Sequence, residues 1–143
     1  MKRIITLLSL FVLICSFTFS SAAKSSRIND GANLLDSNEE AMLEDLLSDI
    51  YNEYYFDTVV VTVDGTDGKS ITSYADDYYD NNGYCSDGII LLIDMDAREW
   101  WISTSGMAIE YFSDSILDYI GEEVVYYLSD GGHAAESAVV PRL

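Results

Sequence analysis

Gly88-Ile89-Ile90-Leu91-Leu92-Ile93-Asp94 decides the fold of this chain. The aliphatic run between the glycine and the acid is too short for a helix and shows no alternation, so it reads as a strand covered on both faces. Upstream, Thr58-Val59-Val60-Val61-Thr62-Val63 is β-branched throughout, and Asp64-Gly65-Thr66-Asp67-Gly68 ends it, which predicts a second buried strand. Between the two, Ser70 to Asp80 sets Ile71, Tyr74, Ala75 and Tyr78 at helical spacing, with Asn81-Asn82-Gly83 as the stop. Strand, helix and strand in that order predict a right-handed crossover joining a parallel pair. Beyond the turn Asp94-Met95-Asp96-Ala97, residues 98–104 alternate Trp100, Ile102 and Thr104 against Trp101 and Ser103, which predicts an antiparallel hairpin partner with one indole in the core and the other partly exposed.

The flanks complete a layered α/β sandwich. Lys24 to Asn33 reads as an extended lead-in with a turn at Gly31. Ser37 as N-cap with Glu40 makes a capping box, and Leu43, Leu46, Leu47, Ile50 and Tyr54 predict an amphipathic helix over 38–54 with an acidic outer face. Ser113 to Leu128 carries Ile116, Leu117, Ile120, Val124 and Leu128 on one face, and 134–140 is a short helical remnant.

The chain has 143 residues, 49% of them apolar and 13% aromatic, which suits one packed domain and excludes a disordered chain. Its charge is abnormal: 7 Lys and Arg against 25 Asp and Glu give −18. Nucleic-acid binding needs basic residues to neutralise phosphates, so that class of partner is set aside.

Residues 1–23 read as a signal peptide: Lys2 and Arg3, an uncharged apolar core from Ile4 to Phe19, then Ser20-Ser21-Ala22-Ala23 for cleavage after Ala23 or Ala22. An uncleaved N-terminal anchor is the alternative. Ile14 before Cys15 departs from a lipobox, so no lipid anchor is expected. The folded domain is then 24–143, a C-terminal continuation being left open, with five of the seven basic residues and all 25 acids. Cys85 is its single thiol, buried, free or linking two chains, and burial is the commonest state of such a residue.

Nucleophilic catalysis finds little support in these residues. The only histidine, His133, stands in the turn Asp130-Gly131-Gly132-His133, there is no Gly-x-Ser-x-Gly elbow, and a Cys85–His133 pair would have no local signature. Cys- and His-rich zinc sites, a P-loop and a Gly-x-Gly-x-x-Gly turn are all absent from the sequence. Oxygen donors abound instead. Asp80-Asn81-Asn82-Gly83 and Asp64-Gly65-Thr66-Asp67-Gly68 both miss the EF-hand pattern, which leaves a cation site assembled from separate loops as the alternative to a merely solvated acidic surface. The eleven tyrosines suit packing under helices better than contact with carbohydrate or peptide.

Ile28-Asn29-Asp30, Leu34-Leu35-Asp36, Asp57 to Val63, Tyr74-Ala75, Asn82-Gly83-Tyr84, Asp87 to Ile93, Asp96 to Gly106 and Ser113-Asp114 together resemble the TPM domain, over about 27–138. That family occurs in bacterial envelope proteins and in a plant thylakoid-lumen protein. The resemblance implies a single-domain α/β/α sandwich with a Rossmann-like mixed sheet, export, and often a downstream membrane helix. It also implies a cation, Ca²⁺ first and Mg²⁺ as the alternative, held on acids from several loops: Asp30, Asp87 and Asp114, with Asp80 as a fourth. Arg98 is the one basic residue within a matching motif, either in an ion pair with a turn acid or in contact with phosphate. The leading expectation is an envelope-associated module that binds a divalent cation and an unknown envelope or membrane protein without catalysis. A soluble scaffold and a metal-dependent acid phosphatase are the alternatives. The cation reading requires Asp30, Asp87 and Asp114 to converge on one pocket.

Overall fold

The computed structural model of the protein describes residues 25–129. The expected signal peptide, His133 and the helical remnant over 134–140 lie outside the described residues.

The elements run β1 (Ile28–Asp30), α1 (Ser37–Tyr54), β2 (Asp57–Val63), α2 (Ile71–Asn81), β3 (Gly88–Asp94), β4 (Glu99–Ser105), α3 (Ala108–Tyr111) and α4 (Asp114–Ser129). One sheet in the order β1-β2-β3-β4 holds all the strands, the first three parallel and β4 antiparallel to β3. The parallel pair and the hairpin are as expected. The lead-in adds a third parallel strand, because the backbone of Ile28 to Asp30 pairs with Val60 to Thr62. Three residues are too few to show any alternation.

β3 is buried along its whole length, and its alternate side chains feed two cores. Val59, Val61, Ile90 and Leu92 lie under Ala75 and Tyr79 of α2. Ile89, Leu91, Ile93 and Ile102 lie on the opposite face, under Leu117, Ile120 and Val124 of α4. Each such aliphatic side chain contributes about 1.5–3 kcal/mol by leaving water. Helices on both faces of a mixed sheet make the α/β/α sandwich. Trp100 packs in the second core while Trp101, on the other face of β4, is exposed.

Boundaries shift by a residue where charge or turn geometry intervenes. Asp36, not Ser37, caps α1: its carboxylate accepts from the N–H groups of Asn38 (2.7 Å) and Glu39 (3.0 Å), and Glu39 accepts from the Asp36 N–H in return. A charged acceptor suits the positive helix end better than a hydroxyl does. Arg98 has φ +57° and belongs to the turn, so β4 starts at Glu99. The short α3 was not expected from the sequence. Among the described residues no helix is long and apolar enough to cross a membrane.

At the carboxyl end of β1, Asp30 closes the following loop. Its carboxylate accepts from the N–H groups of Leu34 (3.0 Å) and Leu35 (2.8 Å) and from the Thr62 hydroxyl. Burial pushes this carboxyl up, but those hydrogen bonds outweigh it and hold it below the ordinary 3.8.

Two expectations follow from this packing. A Cβ on Gly121 would stand 2.0–2.5 Å from the Trp100 ring, so Gly121→Ala should cost about 1–3 kcal/mol in urea unfolding; an unchanged midpoint would show that the α4–β4 contact is loose. A carboxyl depressed by folding stabilises above its unfolded pKa and loses that contribution as pH falls through the folded value. Asp30→Asn should therefore be less stable than wild type at neutral pH and lose less between about pH 5 and pH 2. Parallel curves of urea midpoint against pH for the two proteins would contradict that role.

Candidate functional site

Parallel pairing gives the sheet two chemically distinct ends. Asp30, Asp94 and the turn carrying Arg98 lie at the carboxyl end of the parallel strands. Asp57, Asp87, Gly88 and the close of β4 lie at the amino end. α2 runs back from the carboxyl end and delivers Asp80 to the amino end. α4 starts at Asp114 just after α3 and reaches the carboxyl-end pocket of Arg98 by Val125, so Asp114 also belongs to the amino end.

The expected convergence of the acids is therefore divided. Asp30 pairs with Thr62, which lies five residues along β2 from Asp57, the partner of Gly88. At about 3.3 Å per residue that sets Asp30 roughly 16 Å from the Asp87 end. Strand register keeps Asp30 out of any site built on Asp87, and its carboxylate is already engaged in closing the loop after β1. Asp80, Asp87 and Asp114 share the amino end. Among the described residues, no three acid, thiol or imidazole groups stand close enough together to form a metal-holding set.

Asp87 is half-buried between the starts of β3 and α3. Its Oδ1 accepts from the Met107 N–H at 2.7 Å, and Oδ2 has only the Ser86 hydroxyl at 3.3 Å. The Cβ that Gly106 lacks would fall 2.1 Å from Asp87 Oδ1, so the close approach of this carboxylate requires glycine there. The Ser105 hydroxyl donates to the Ser86 carbonyl at 2.9 Å, tying the end of β4 to the same loop. Asp80 borders a polar groove of about 290 Å³ between α2 and β4, and Asp114 is exposed.

Beneath Asp87 lies a buried network whose members were not among the expected site residues. Asp57 is fully buried; its Oδ1 accepts from Arg27 Nε at 2.9 Å and its Oδ2 from the Cys85 N–H at 2.7 Å. The Asp57 N–H donates to the Asp87 carbonyl at 3.1 Å. The Arg27 guanidinium lies over the Tyr51 ring, 4.5 Å from its centroid, and donates to the Ser48 hydroxyl. A lone acid heading an otherwise apolar strand is the one available sequence signal, since such a charge needs a partner to be buried. Cys85 is half-buried, and its thiol donates to the carbonyls of Asp87 (2.9 Å) and Tyr55 (3.4 Å). Burial pushes the Tyr79 hydroxyl far above its ordinary value, so it stays a donor, here to the Cys85 carbonyl at 3.0 Å. Tyr74, Tyr78, Tyr79 and Tyr84 do pack under the first core, as expected of the tyrosines; Tyr54, Tyr55, Tyr111, Tyr119 and Tyr126 are exposed instead.

Arg98 is exposed at the carboxyl end, beside a shallow pocket of about 220 Å³ with Asp94, Glu99, Trp100 and Val125. Among the described residues it makes no ion pair, whereas Arg27 and Lys69 both do. Of the two acids in its turn, Asp94 is engaged locally: its Oδ1 accepts from the N–H groups of Asp96 (3.0 Å) and Ala97 (3.3 Å). The length of β3 separates Arg98 from Asp87.

The chain is similar to known proteins. The chain is 30% identical over 132 residues to the UPF0603 protein YdjH of Bacillus subtilis, covering 90% of this chain and 52% of that protein. It thus spans about half the length of that curated relative. Among solved structures, the N-terminal domain of a protein from P. gingivalis superposes with a TM-score of 0.66 at 18% identity, covering 76% of this chain and 72% of that one. The N-terminal domain of the cg2496 protein from Corynebacterium glutamicum does so with a TM-score of 0.59 at 16% identity, covering 80% and 74%. These two share the fold. With the TPM domain model matched across residues 28–139, most of its length, the chain belongs to the TPM domain family.

Proposed function

We propose that this TPM domain is an exported, envelope-associated module that binds a protein partner, with a divalent cation at the contact, and that it works without catalysis. One observation carries the reading: apolar side chains are exposed together at the amino end of the strands. Tyr55 (74%), Ile109 (65%) and Tyr111 (67%) are exposed, as are Tyr54 and Met107. The Phe56 and Phe112 rings, 6.1 Å apart, join the two segments that carry them. Exposed apolar surface of this kind marks interaction sites on soluble domains.

Asp87 lies beside this surface with one carboxylate oxygen lightly engaged. A cation there, Ca²⁺ ahead of Mg²⁺, would take Asp87 and water, with Asp80 and Asp114 as the next acids at that end. Ca²⁺ takes about 6–8 oxygens, more than these side chains supply, so oxygens of the partner would complete the shell. The position of Arg98 favours binding over the acid-phosphatase alternative, because the one unpaired cation among the described residues stands at the far end of the sheet from Asp87.

Calorimetric titration with Ca²⁺ should give heat with wild type and with Asp30→Asn, and none with Asp87→Asn. Absence of both heat and a rise in melting temperature, with Ca²⁺ and with Mg²⁺, removes the cation from the proposal. A photo-crosslinking residue at position 109 should form a discrete envelope-protein adduct in producing cells, while one at position 69, at the opposite end, should not. Equal labelling from both positions, or none from 109, removes the partner surface.

A further inference from the structure

The groove between α2 and the edge strand β4 has a chemistry of its own, and Asp80 is the one lining residue it shares with the proposed cation end. On β4, Trp101, Ser103 and Ser105 alternate with the core residues Trp100 and Ile102 and so face α2. Trp101 Nε1 donates to Ser103 Oγ at 3.0 Å, and Ser103 Oγ donates to Asp76 Oδ1 at 2.6 Å. This chain satisfies the indole N–H internally and holds the ring in place, yet 41% of Trp101 remains exposed. Tyr79 and Ile90 line the groove behind the carboxylates of Asp76 and Asp80 and the hydroxyls of β4.

We infer that this groove is a binding subsite for a neutral saccharide, with Trp101 as the stacking platform and Asp76 and Asp80 as acceptors for sugar hydroxyls. A pyranose presents an apolar C–H face on one side and a rim of hydroxyls; the groove offers carboxylates and hydroxyls, and the exposed indole of Trp101 adjoins it through Ser103. Its volume of about 290 Å³ is at the small end of ligand sites and suits one ring, with the open groove letting an oligomer continue. No Lys or Arg lines it, so phosphorylated, sulfated and uronic acid sugars are repelled. A quaternary ammonium is the competing ligand for an acid-flanked indole, but it is held best by several aromatic faces, and here a single exposed one is offered. Ser103 acts through the indole as a positioning residue. The subsite stands apart from the proposed protein contact, although Asp80 borders both.

The full protein is titrated with tetra-N-acetylchitotetraose, cellotetraose, polygalacturonate and choline, following tryptophan fluorescence and calorimetric heat. Saturable binding of a neutral tetrasaccharide is expected, with Trp101→Ala and Asp76→Asn each weakening it by about tenfold or more, the loss of a contact to a charged or aromatic anchor. Ser103→Ala should weaken it less and broaden the emission of Trp101. Circular dichroism of each variant, and Ca²⁺ heat retained by Trp101→Ala, show that the fold and the Asp87 end are intact. Saturation by choline or polygalacturonate alone, no saturation by either neutral sugar, or equal affinity in wild type and Trp101→Ala overturns the inference.

Discussion

The buried pair of Arg27 and Asp57 is the constraint from which the amino end of this domain is built. Asp57 has no exposure to solvent, so its charge must be met inside the protein. One oxygen is met by the guanidinium that precedes β1, the other by the backbone N–H of Cys85 in the loop before β3. Three segments distant in the chain are thereby held at the head of β2. Glu44 of α1 adds to this by accepting from the N–H groups of Arg27 (2.9 Å) and Ile28 (3.0 Å), which anchors the helix over the entry to β1. Replacing such a pair by apolar residues is often neutral for stability, whereas removing one partner leaves a buried charge unmet and costs about 3–5 kcal/mol. Among the described residues no buried side-chain polar atom is left without a partner.

That network determines what the surface above it can do. With the Asp57 N–H bonded to the Asp87 carbonyl, the loop carrying Cys85 and Asp87 is drawn against β2, and Asp87 turns its carboxylate toward Met107. The same loop receives the end of β4 through Ser105. The domain therefore presents a hydrogen-bonded polar junction beside exposed aromatic and aliphatic side chains, on a chain whose net charge is −18. A surface of that charge repels anionic partners over about a Debye length and leaves cations, neutral sugars and apolar protein surfaces as the chemistries that can approach it.

Much of the architecture was legible locally. The apolar run from Ile89 to Ile93 and the β-branched run from Thr58 to Val63 reported strands buried on both faces, and both are there. The helices at α1, α2 and α4 fell within a residue or so of their predicted limits, because their apolar spacing and caps are short-range features. The cap itself was misplaced by one position, since Asp36 and Ser37 both satisfy the pattern and only the bonds made by the carboxylate distinguish them. β1 shows in the sequence only as extended chain: a three-residue strand has no period of its own and exists by pairing with Val60 to Thr62. The acids were harder. Asp30 and Asp87 sit in similar motifs, each beside a strand terminus, yet one is at a carboxyl end and the other at an amino end, and no spacing in the chain reveals that they face opposite ways.

By itself, the sequence determined the element types, the faces that each must bury and the acidic character of the surface. These depend on neighbours within a few residues and on the side chains' preference for or against water. Tertiary structure alone decided which acids share an end of the sheet, that Asp57 would be buried against Arg27, and that Ser103, which accepts from the Trp101 indole, would reach Asp76 of α2 across a polar groove. Each of those depends on strand order and register, which bring together groups far apart in the chain. They come from the joint packing of all the layers rather than from any local pattern.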